Sequence, residues 1–260
     1  MSTLGSIDPA PLPAMPLKRL LGAYLSDARY ESIRLLRTPA FATPILAMPI
    51  LFYFLFGVVL PGKVPEVVAN SQFVGWTVYG VMGPGLFGFG ILVAVERTQG
   101  LLTFKRALPM PTGSYLSAKL MMAYVFAVAV MAMLVTAGVL FGHVTLGAGA
   151  LFKVAAVMSL GVFPACAIGL FIGAWAPASS APAFANILYL SMAFLSGLFF
   201  PLSGFLKTIQ PVWPTYHLAQ LAKATAGMPH QGSMWVHIAV LAGVTVVLTL
   251  AAARKLARKG

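Results

Sequence analysis

Acidic residues are the scarcest feature of this 260-residue chain: there are five Asp and Glu against 17 Lys and Arg, and none follows Glu96. Charged residues of both signs make up 8% of the sequence, where a soluble domain carries roughly a quarter. So few charges cannot cover a water-facing surface of this size, so lipid is the solvent of most of the chain. The missing carboxylates exclude more. Carriers driven by protons or sodium usually place an ionisable group in the membrane, and no carboxylate relay can be built in the 164 residues after Glu96. An internal repeat of the kind that builds alternating access is also missing. One cysteine, Cys166, lies in an apolar run; it excludes an intrachain disulfide and a thiolate metal framework. No glycine-rich phosphate loop ending in Gly-Lys-Ser/Thr occurs, so uphill movement must be driven from another polypeptide. No catalytic constellation and no metal site is legible.

What is there is hydrophobic: 60% of the residues. A helix needs about 20 apolar residues to cross a hydrocarbon core of about 30 Å. Six segments meet that length, near 41–60, 73–95, 117–141, 151–176, 181–200 and 235–253. They predict an all-α integral membrane protein with six transmembrane helices in a single domain over 17–260. Residues 1–16, with Asp8 and four prolines, read as a disordered tail rather than a cleavable signal.

The basic residues lie between the apolar runs and at the ends. That placement explains the net charge of +12 by orientation in a bilayer rather than by nucleic acid. With both termini inside, thirteen of the 17 bases are cytoplasmic, among them Arg97, Lys105, Arg106 and Lys119. Only Lys63, Lys153, Lys207 and Lys223 fall outside. This asymmetry predicts cytoplasmic termini.

Three non-spanning segments complete the expected architecture. Over 17–37, Leu17, Leu20, Leu21, Tyr24 and Ala28 share one helical face while Lys18, Arg19, Arg29 and Arg34 crowd the rest. This suits a helix in the cytoplasmic interface, its bases toward lipid phosphates; packing on a protein partner is the alternative. In the loop from Glu96 to Pro111, Leu101, Phe104 and Leu108 form a stripe at helical spacing, ended by Pro109 and Pro111. The outer segment 201–233 is too apolar for a solvated loop, yet Pro201, Pro211 and Pro214 forbid a span. Short broken helices re-entering the outer leaflet fit it.

Four histidines, His143, His217, His230 and His237, fall near the outer face with no carboxylate to orient them, the usual support of a metal ligand. They read as interfacial residues, with contact to haem iron by His217 or His237 as the alternative. Gly161, Ala165, Gly169 and Gly173 recur every four residues, a groove for close helix packing. Packing within the chain is its favoured use.

The stretch Glu96-Arg-Thr-Gln-Gly100-Leu-Leu-Thr-Phe-Lys105-Arg-Ala-Leu-Pro109, followed by Ser114-Tyr-Leu-Ser-Ala-Lys119, resembles the E-x-x-x-G…L-x-x-P signature of ABC type-2 transporter permeases. Asn186-Ile-Leu-Tyr, Leu195-Ser-Gly-Leu-Phe-Phe-Pro201 and Trp213-Pro-Thr-Tyr-His-Leu are similar to that family's fifth span and outer re-entrant segment, and Arg37-Thr-Pro-Ala-Phe to its first span. The resemblance implies a permease subunit of an ABC exporter in a prokaryotic inner membrane, paired with a second permease copy and cytoplasmic ATPase subunits that bind ATP and Mg. It implies that Glu96, Arg97, Gly100, Leu101, Phe104, Lys105, Arg106 and Leu108 belong to a coupling helix. It places the dimer seam on spans one and five, where Asn186, Ser191 and Ser196 could line the seam or the pathway, with Trp213 and Tyr216 in the outer segment. Spans rich in Ala, Gly, Val, Leu and Phe lean toward a hydrophobic or amphipathic cargo. A haem-handling permease, an ATP-independent channel and a scaffold are the alternatives.

Overall fold

The computed structural model of the protein describes residues 16–62, 64–102, 104 and 113–258. The tail expected over 1–16 therefore lies, but for Pro16, outside the described residues, as do Lys105, Arg106 and Leu108 of the candidate coupling helix.

Every regular element among the described residues is helical. Helix α1 (Leu17–Leu36) precedes α2 (Pro39–Phe52), which continues as a π-helical stretch, Tyr53–Val59. Then come α3 (Glu66–Thr98), α4 (Ser114–Leu140), α5 (Ala148–Trp175) and α6 (Ala181–Leu195). The short α7 (Gly204–Ile209), a 3₁₀ turn (Gln210–Val212) and α8 (Pro214–Thr225) lead into α9 (Met234–Arg258). Proline opens α2 and α8 at the first helical position, where its missing N–H is not needed and its fixed φ suits the helix.

Five stretches are long and apolar enough to cross a membrane: Pro39–Val59, Glu66–Thr98, Ser114–Leu140, Ala148–Trp175 and Met234–Ala257. The expected fifth span is shorter than the 181–200 read from hydropathy. Helix α6 has 15 residues, about 22 Å at 1.5 Å per residue. Its end is a Schellman motif: Gly197 takes φ +69°, its N–H donates to Phe194 O, and the Leu198 N–H donates to Ala193 O. Hydropathy does not register this stop because Leu198, Phe199 and Phe200 beyond it remain apolar.

Helix α3 is the axis of the molecule. It is buried along most of its length and packs on α2, α4, α5, α6 and α8. Small residues let it approach α5 closely. A Cβ on Gly169 would stand 2.6 Å from Gly85 O, and one on Gly173 2.6 Å from Phe89 O, distances real Cβ atoms do not reach. The stripe beginning at Gly161 is thus turned inward, with Ala165 against Gly85 and Gly161 against the Leu218 side chain of α8. Helices α2 and α9 sit outside this core, and much of their apolar surface is exposed.

Candidate functional site

Two of the five acids meet on one lysine where α1, α3 and α4 converge. Lys119, one turn into α4 and 1% exposed, places Nζ 2.8 Å from Glu31 Oε1 and 3.1 Å from Glu96 Oε1. Arg34 reaches the same two oxygens at 2.8 and 3.1 Å from its more exposed position on α1. Tyr115 donates its hydroxyl to Glu96 Oε2 at 2.5 Å. Two carboxylates and two cations balance, and the shared oxygens bind three helices together. Burial would lower the pKa of the Arg34 guanidinium, but Glu31 and Glu96 outweigh it and the net shift is upward.

Glu96 is not at the start of a coupling helix, where a carboxylate would suit the helix dipole. It lies in the last turn of α3, at the negative end of that dipole, and Lys119, Arg34 and Tyr115 offset the cost. Four residues on, Gly100 takes φ +73° and donates its N–H to Arg97 O, ending the helix. The Glu96–Gly100 spacing thus joins an anchor that points back into the bundle to a turn that sends the chain out of it. Leu101 and Phe104 follow in a new helical stretch, Phe104 62% exposed.

Arg97 is also not free to seat in a partner's groove. Its guanidinium donates to the carbonyls of Ala174 and Ala176, the latter at 2.7 Å. Those orphan carbonyls end α5, and a cation there satisfies them and complements the dipole. The end of α3 is thereby tied to the turn between α5 and α6. Lys255 of α9 stacks over Trp175 at 4.3 Å at the same place, so α1 and the last turns of α9 lie at one end of the bundle.

Asn186 stands on the wall of a groove of about 330 Å³ between α2, α3 and α6, lined also by Phe41, Met48, Phe87, Tyr189 and Leu190. Tyr189 stacks on Tyr79 at 4.4 Å and donates its hydroxyl to Tyr79 O at 2.7 Å. The other polar positions do not gather there. Ser196 is buried and bonded to Thr215 and to Met192 O, a tie between the end of α6 and α8. Ser191 is half-buried on α6. Trp213 packs on the main core, and Tyr216 is buried edge-on to His217 and His237.

Two of the four histidines depart from the expected interfacial role. His143 and His230 are exposed, but His217 and His237 are 4% and 2% exposed and face each other. Both nitrogens of both rings are engaged, which leaves neither ring a nitrogen for haem iron.

Glu31, Lys119 and Tyr115 were not among the sequence candidates. Lys119 carries the signal: a cation at the start of an apolar run is a site by default, yet it reads equally well as a loop charge that sets orientation.

Long apolar helices around one buried axis, with a charge-locked junction at one end, define a multi-pass helical membrane protein. The chain belongs to the ABC-2 type transporter family, whose model matches residues 24–225. It is 30% identical over 192 residues to a Bacillus subtilis (strain 168) protein named "Putative transport permease YvfS", covering 72% of this chain and 78% of that one.

Proposed function

We propose that this chain is the membrane-spanning subunit of an ATP-driven exporter in a prokaryotic inner membrane. Separate cytoplasmic ATPase subunits supply the energy, and the cargo is hydrophobic or amphipathic, of the drug, lipid or glycolipid class. The chain crosses six times, with α6 as the fifth crossing, and both termini are cytoplasmic. Support for this parity comes from α1 and the last turns of α9 sharing one end of the bundle.

The observation that carries the reading is the junction around Glu96. The segment leaving Gly100 is the coupling helix that docks on the ATPase, and Glu96 and Arg97 just before it connect to α1, α4 and the α5–α6 turn. A push on that segment therefore reaches four helices as one rigid body rather than dissipating in a loop. Two permease copies meet along α2 and α6. The outward face of α2 and its π-helical continuation carries Met48, Leu51, Phe54 and Leu55, and that of α6 carries Phe184, Ile187, Leu190 and Phe194, all exposed. The groove between them, with Asn186 on its wall, faces the seam and forms part of the cargo path.

The test is purification of the tagged full-length chain in mild detergent. A stoichiometric ATP-binding subunit and a second copy are expected, and scrambling Arg97–Arg106 should release the ATPase. A properly inserted chain that brings no ATP-binding subunit would contradict the proposal.

A further inference from the structure

At the end of the bundle away from the Lys119 cluster, His217 of α8 and His237 of α9 face each other with Nδ1 to Nδ1 at 2.8 Å. Their outer nitrogens have unambiguous partners. His217 Nε2 lies 2.8 Å from Pro211 O, and His237 Nε2 lies 2.8 Å from Gln231 O. A carbonyl oxygen only accepts, so both Nε2 atoms carry hydrogen. If both rings were neutral, each Nδ1 would present a lone pair to the other at hydrogen-bond distance. If both were doubly protonated, two N–H groups would collide. Only three protons over the four nitrogens satisfy every contact.

We propose that His217 and His237 form a proton-binding site that holds one proton between their Nδ1 atoms, so that the buried pair is a monocation latching α8 to the first turn of α9. The shared N–H···N bond is charge-assisted and so of the stronger class. Its charge is met by the carbonyls of Pro211 and Gln231 rather than by a carboxylate, since none follows Glu96. Tyr216 is the titratable group against both rings, at 5.3 and 6.1 Å between centroids. Charged residues with described side chains on the elements packed with α8 and α9 are Lys153 on α5, Glu66, Glu96 and Arg97 on α3, and Lys223, Arg254 and Lys255 on α8 and α9 themselves, with Lys207 on nearby α7. None makes a described hydrogen bond to either ring.

The latch closes over a window of pH. The stability that the shared proton gives is lost as pH rises and that proton leaves, because the two Nδ1 lone pairs then face each other. The second proton binds less tightly. Burial lowers the His217 pKa, the bond to Pro211 O opposes that and His237 lowers it again, and a second charge on the pair would set two N–H groups against each other. Stability is therefore also lost as pH falls and both rings charge. The pair ties the outer segment to the last long helix between those limits.

The test uses the full chain in lipid bilayers with ¹⁵N-labelled histidine. Substituting the exposed His143→Gln and His230→Gln leaves only the pair in the spectrum. Between about pH 6 and 8, around the ordinary imidazole range, three of four ring nitrogens should be protonated, with a coupling between the two Nδ1 atoms. That coupling should vanish in strong alkali. Two neutral rings, two imidazolium rings, or no Nδ1–Nδ1 coupling across that range would each overturn the proposal. The measurement is made on the natural pair, so it does not depend on a latch variant folding.

Discussion

Lys119 Nζ stands 2.8 Å from Glu31 Oε1, an ion pair between a helix that precedes every span and the buried first turns of α4. Removing one partner of a buried pair strands the other charge, which costs about 3–5 kcal/mol. Lys119→Met should therefore destabilise the protein by roughly that amount, measured as unfolding in detergent. Adding Glu31→Gln restores neutrality and should recover part of the loss. A double variant as unstable as the sum of the singles would show that the cluster does not act as a unit.

Gly169 and Gly173 set the distance between α3 and α5. Because a Cβ at either would run into backbone carbonyls that cannot swing aside, Gly169→Val and Gly173→Val should separate the helices and lower the thermal midpoint, at about 1–3 kcal/mol or more each. Gly149, with open space around it, is the control and should tolerate alanine. Equal tolerance at all three positions would contradict the packing.

Arg97 connects the end of α3 to the α5–α6 turn, so Arg97→Gln should loosen coupling while leaving insertion intact. Charge reversal at Lys105 and Arg106 should likewise abolish transport in a stable, inserted protein. Both are read by comparing ATP hydrolysis with transport in proteoliposomes. Normal transport by the reversed variant would count against the coupling assignment.

Trp213 and Tyr216 lie at the opposite end from that junction. Trp213→Ala and Tyr216→Phe should alter transport without weakening ATPase association. Loss of the ATPase from either variant on purification would overturn this division of labour.

The helices were legible in the sequence because length and hydropathy determine spans, and glycine at four-residue spacing marks close packing. The stop of α6 was less so, since a glycine in the left-handed region ends a helix without any change in hydropathy. At the site, Glu96 and Gly100 were singled out by pattern, but the pattern does not say which helix Glu96 ends. Glu31 and Lys119, 88 positions apart, come together only through the packing of α1 on α4. The His217–His237 contact likewise needs the turn after α8, where Gly227 closes a second Schellman motif and brings α9 back alongside.

ATP-driven movement is proposed to enter this chain through the segment that follows Gly100. A photo-crosslinking residue placed at exposed Phe104 tests it directly, with exposed Trp235 at the other end of the bundle as the reference. Illumination of the purified complex should link position 104 to the ATP-binding subunit and leave position 235 unlinked to it. An adduct from position 235, or none from position 104 while the ATPase is present, would contradict it.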